Sequence, residues 1–141
     1  MATTIATLTL TSADIKSDAL SLTKSATLYK ADSTTGLDET TGLNKVIYAS
    51  TANVLLLDST VLGVGKAAKV YIANKSTDAS EYVDVQIHDQ NVGRLYAGDW
   101  MFIPWTQSDP DGNIRIKPSV ATALPVEYMM IHEGATQTAA A

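Results

Sequence analysis

Along most of this chain apolar and polar side chains alternate. Between residues 19 and 28, Leu20, Leu22, Ala26 and Leu28 fall on one face and Ser and Thr dominate the other, as a half-buried strand requires. Val83, Val85 and Ile87 repeat the pattern against Asp84, Gln86 and His88, and short apolar runs recur at residues 45–50, 53–57, 70–72, 100–105, 114–117 and 126–131. Gly, Asn, Asp, Ser and Pro separate them, so the pattern predicts an all-β fold, an antiparallel β-sandwich (jelly-roll-like) of about eight strands. Helical periodicity is missing: Ser12-Ala13-Asp14-Ile15 offers a capped start and no amphipathic stripe after it. Residues 1–18, rich in Thr, read as an extended N-terminal arm, residues 19–133 as the β-domain, and residues 134–141, GATQTAAA, as a flexible C-terminal tail.

The densest stretch is GDWMFIPWTQSDPDGNIRIKP, residues 98–118, with both tryptophans and the only phenylalanine. Trp100, Phe102 and Pro104 share one face of its strand, and Met101, Ile103 and Trp105 the other. A strand apolar on both faces is covered on both, inside the fold or at an interface. Asp109-Pro110-Asp111-Gly112-Asn113 reads as a turn. The spacing of Asp109, Asp111 and Asn113 opens like a calcium loop, but Gly falls at the fourth position instead of the sixth and Val120 stands where the closing Glu belongs.

Composition narrows the function. The net charge is -5, with ten Lys and Arg scattered along the chain, which argues against direct nucleic-acid binding. There is no cysteine, so disulfides, thiolate metal sites and a cysteine nucleophile are excluded. The first basic residue is Lys16 and no apolar run approaches the length of a membrane span, so the expectation is a chain made in the cytosol with no membrane partner. Leu62-Gly63 through Ala68 lacks the Gly and the Ser or Thr of a phosphate loop. His132-Glu133 lacks the second histidine of a zinc helix, His88 sits on a polar strand face, and Asp38-Glu39 is a single acidic pair in the repeated STTGLDETTGL. The reading is therefore no catalytic residue, no cofactor and no metal: not an enzyme. Ile5, Leu8 and Leu10 are the expected partner-binding residues of the N-terminal segment, a strand that adds to a partner's sheet edge. Trp100 and Trp105 are the expected packing anchors.

The segments ATLTLTSADIKSDALSLTKSATLYKADSTTGLDETTGL, VYIANKST, LYAGDWMFIPW and VEYMMIHEG resemble small virion structural proteins of tailed bacteriophages, especially phages of marine cyanobacteria. The resemblance lies in arrangement: a Ser/Thr/Ala-rich leader, a compact strand domain, an aromatic strand after a Gly-Asp turn, and a closing VEYMM strand. It implies a capsid decoration or cement protein on the surface of the virion, synthesised in the host cytoplasm. The implied partner is the major capsid protein, and the implied state a homo-oligomer, with a trimer favoured. A tail, neck or fibre-base component and a carbohydrate-binding module using Trp100 or Trp105 are the competing readings.

Overall fold

The computed structural model describes residues 3–15, 20–62, 65–106 and 112–133. Among these residues eleven strands are formed: β1 (Ile5–Ser12), β2 (Leu20–Thr27), β3 (Glu39–Thr40), β4 (Asn44–Tyr48), β5 (Val54–Leu57), β6 (Ala68–Asn74), β7 (Tyr82–Ile87), β8 (Gln90–Tyr96), β9 (Trp100–Trp105), β10 (Ile114–Pro118) and β11 (Leu124–His132). One 3-10 turn, Ser59–Val61, is capped by the Asp58 carboxylate, which accepts from the Thr60 amide.

The pairing is nested. β4 pairs with β11, β5 with β10, β6 with β9 and β7 with β8, every pair antiparallel, so the second half of the chain retraces the first in reverse. Two further antiparallel pairs, β11 with β6 and β10 with β7, join these ribbons into two sheets. One has the order β5-β10-β7-β8; the other runs β3-β11-β6-β9, with β4 beside β3 on the same edge of β11. β1 and β2 form a third, two-stranded sheet of their own.

Strand alternation places the core between the two large sheets. Val83, Val85, Leu95, Ile114, Ile116 and Leu57 from one form a single cluster with Val70, Ile72, Leu124, Val126, Met130 and Trp105 from the other. Burying each such side chain contributes about 1.5–3 kcal/mol, so this cluster is the main source of stability. At the rim, the fully buried Asn74 ends β6 and ties two turns and strand β8 together. Its side-chain amide donates to the Leu95 carbonyl (2.9 Å), its side-chain oxygen accepts from the Ser76 amide (2.9 Å), and its backbone bonds Asp99 and Gly98.

The all-β, antiparallel expectation is met, with eleven strands instead of eight and with neither large sheet closing on itself. β8 has no counterpart in the sequence pattern: only Leu95 of its seven residues is buried, and a register shift opposite Val85 and Gln86 breaks the alternation. His88 is not a strand residue. With Asp89 it forms the β7–β8 turn, both in the left-handed region (φ 56° and 58°), the backbone of a two-residue hairpin loop. The leader differs most. Ile5–Ser12 is no lone extended arm but is paired along its whole length with Leu20–Thr27, so the expected boundary after residue 18 cuts through one hairpin. The expected tail, residues 134–141, and the DPD part of the expected turn lie outside the described residues.

Replacing Asn74 by Ala strips the Leu95 carbonyl and the Ser76 amide of their side-chain partners; the expected loss is about 1–3 kcal/mol of unfolding free energy, measured by urea titration. Tyr48 packs on the core, and its burial, with Tyr128 nearby, pushes its pKa up to about 12. Unfolding restores the ordinary value near 10, so the stability linked to its neutral form is complete below pH 10 and drains away as pH rises towards 12. Absorbance titration of tyrosinate in wild type and Tyr48→Phe checks this: the substitution removes a phenol that titrates near 12.

Candidate functional site

The two large sheets differ in what they turn outward. On the β7–β8 side the exposed groups satisfy one another. Arg94 grips Asp84 through two bonds (2.7 and 3.2 Å) while its guanidinium lies 3.9 Å over the Tyr82 ring, and Tyr82 meets Tyr96 edge to face. Asn53, Gln86 and Asn91 form an amide chain (2.8 and 2.9 Å). Such a face is content in water.

The outward face of the other sheet is apolar. Register places Trp100, Phe102 and Pro104 of β9 opposite Ala73, Tyr71 and Lys69 of β6, all on the side away from the core. Only the Tyr71 hydroxyl is visibly engaged, donating to Glu127 Oε1 at 3.0 Å; burial first, then this bond, raises its pKa.

Over this face stands the β1–β2 hairpin. Its cross-strand pairs sort by parity: Ala6–Ala26, Leu8–Lys24, Leu10–Leu22 and Ser12–Leu20 on one side, Thr7–Ser25, Thr9–Thr23 and Thr11–Ser21 on the other. The hydroxyl side is stitched by the Thr7–Ser25 bond at 3.0 Å. Its root is fixed firmly. The Leu28 amide donates to the Thr4 carbonyl (2.9 Å), the Leu37 amide to the Leu28 carbonyl (3.0 Å), and both leucines are buried. The buried Glu133 carboxylate then accepts from the amides of Ala31 (2.9 Å) and Ala67 (2.5 Å), tying the strap after the hairpin to the end of β11.

Between hairpin root and sheet lies a groove of about 620 Å³, lined by Ala6, Leu8, Lys24, Ala26, Leu28, Lys69, Tyr71, Trp100, Phe102 and Pro104, with Thr7 and Ser25 at its side. It exists because the hairpin presents alanines here: Ala6 and Ala26 are too small to fill the space above Trp100 and Phe102. Two lysines stand at its rim, and among the described residues no carboxylate lines it. Beyond Leu8 the hairpin has no further partner strand among the described residues, and Leu10 and Leu20 remain 43% and 40% exposed.

The expected partner-binding residues separate on this surface. Leu8 and Trp100, 92 positions apart by number, meet in the groove, and Trp100 is 55% exposed. Leu10 continues the same hairpin face, whereas Ile5 is exposed on the hydroxyl side. Trp105 lies on the opposite face: it is 5% exposed in the chain's own core, its indole N–H donating to the Gly112 carbonyl (2.9 Å). Phe102, Tyr71, Lys24 and Lys69 belong to the site and escaped the sequence reading. The outward parity of Tyr71 between Val70 and Ile72 was the available signal. Among the described residues no group of three or more His, Asp or Glu is placed to hold a metal ion, and no helix is long and apolar enough to cross a membrane. Asp38 of the acidic pair is bound to Lys30 (2.9 Å).

The two tryptophans therefore respond differently. Trp105→Ala is expected to cost about 3–5 kcal/mol, as large aromatic truncations in a core do, and Trp100→Ala to stay within about 1 kcal/mol of wild type. In single-tryptophan proteins, acrylamide quenches Trp100 strongly and Trp105 weakly; equal quenching contradicts the assignment. Comparison with known protein families, curated proteins and solved structures finds no match to this chain.

Proposed function

We propose that this chain is a virion structural protein of the capsid decoration or cement type, in which strands β4–β11 form a jelly-roll sandwich and the β1–β2 hairpin engages the major capsid protein. Two lines support the reading. The nested pairs β4·β11, β5·β10, β6·β9 and β7·β8, distributed over two four-strand layers, are what results when one long ribbon is rolled into two Greek keys. That architecture recurs in viral capsid domains and in lectins. A fold does not assign a function, so the weight rests on the second line.

The observation that carries the proposal is the hairpin itself. A two-stranded ribbon is marginal alone in water; this one holds Leu8, Leu10 and Leu20 exposed and leaves both outer strand edges unpaired among the described residues. Free edges and an apolar face are what a partner's sheet edge needs for strand addition. Repetition over a symmetric shell multiplies modest contacts, because each bound subunit raises the effective concentration of the next. The polar β7–β8 face would then look outward to solvent.

Purified particles and empty shells provide the test. A cement protein is expected at a copy number matching the shell lattice and to bind shells in a pull-down; Leu10→Asp with Leu20→Asp abolishes that binding while the far-UV circular dichroism stays unchanged. A copy number matching a single ring indicates a tail or neck part instead. Failure of the wild type to bind shells, with Trp100 fluorescence responding to bacterial glycans, favours a carbohydrate-binding module.

A further inference from the structure

The groove under the hairpin root is a slot between two β-layers. Layers that pack face to face stand about 10 Å apart, with the side chains of both filling the space between. Here the sheet supplies Trp100, Phe102 and Tyr71, whereas the hairpin supplies the Ala6–Ala26 pair, and a slot of about 620 Å³ is left. That volume lies within the range of small-ligand sites.

The lining decides what such a slot accepts. Its walls are hydrocarbon: Leu8, Leu28, Trp100, Phe102 and Pro104 join the two alanines. Polar atoms are few and mostly engaged. Thr7 and Ser25 share a hydrogen bond (3.0 Å), and the Tyr71 hydroxyl donates to Glu127 (3.0 Å). Pro104 has no N–H to offer. A peptide strand pushed into the slot would leave its N–H and C=O groups without partners, and a sugar its hydroxyls, each at a cost. An alkyl chain brings no such groups.

The charges specify the other end of the ligand. Lys24 is the only charged residue of β1 and β2, and Lys69 the only one of β6 and β9. Both line the groove, and neither has an ion-pair partner among the described residues. The carboxylate that holds Tyr71, Glu127 of β11, stands opposite Lys45 of β4 in the ladder. The slot therefore matches an apolar tail that carries one anionic group.

We propose that the groove binds a free long-chain carboxylate, its alkyl chain lying on Trp100 and Phe102 beneath Ala6 and Ala26 and its carboxylate paired with the rim lysines. The bound chain fills the space between hairpin and sheet and pins the hairpin over it. The site does not rest on shell binding and is tested without a shell.

Titration of the full chain with dodecanoate, kept below its micelle-forming concentration and followed by tryptophan fluorescence, reads binding directly. The signal is expected to saturate, and to be lost in Trp100→Phe because Trp105 is buried on the other face. Chain length reports the tail: decanoate binds about tenfold more weakly, since two fewer methylenes leave water. Charge reports the head: the neutral dodecanol binds about fivefold or more weakly, and Lys24→Gln with Lys69→Gln erases the difference between acid and alcohol. Ala6→Leu with Ala26→Leu fills the slot and abolishes binding while the far-UV circular dichroism stays unchanged; should that pair not fold, the surface lysine pair still decides. No saturation, equal affinity for acid and alcohol, or binding indifferent to a folded leucine pair overturns the proposal. Other occupants overturn it too: a Trp100 response to bacterial glycans but not to dodecanoate, binding to anionic phospholipid vesicles alone, or self-association of wild type that the leucine pair abolishes.

Discussion

One cluster, in which Val70 and Ile72 of β6 join Val83 and Val85 of β7 and Ile114 and Ile116 of β10, binds two sheets that share no strand. Every other feature is referred to it. Because strands alternate, committing one side of β6 and β9 to that core forces Tyr71, Trp100, Phe102 and Pro104 to the other side. The apolar outer face is thus a consequence of register: a one-residue slip of β9 would exchange Trp105 with Pro104 or Thr106 and bury the wrong set.

The chain manages its two outer faces by opposite means. On the β7–β8 side, charges and amides close on themselves. On the β6–β9 side the hairpin covers part of the sheet but leaves a groove where its alanines fall. A fully covering hairpin would need only larger residues in place of Ala6 and Ala26. The Glu133 carboxylate, buried and bonded to two backbone amides, anchors the strap that follows the hairpin. The anchoring lies at the root, and the apolar exposure lies towards the tip. The buried, hydrogen-bonded groups are thus at one end of the hairpin and its exposed leucines at the other.

The aromatic stretch around residues 98–118 shows how far residue types reach. Its two-faced strand was legible, and so was the need for cover on both sides. What covers each side was not. Trp105 and Trp100 are the same residue type five positions apart, yet one fills the core against the Gly112 carbonyl and the other stands half in water. Odd spacing put them on opposite faces; only the packing of the second sheet chose which face became the interior.

The amino-acid sequence by itself determined the all-β class, most of the strands and their face parity, because period-two alternation is a local property of neighbouring side chains. It also set the chemical poverty of the chain, with no cysteine and no recognisable catalytic or metal pattern. The tertiary structure alone decided three things. It made the leader a hairpin, since the partner of Ile5–Ser12 is chosen by a ladder and not by its own composition. It revealed β8, whose pairing with β7 survives with a single buried side chain. And it brought Leu8, Lys24, Lys69 and Trp100 to one groove, because contacts between residues distant in sequence depend on how the nested strands are wound, and no local pattern records that.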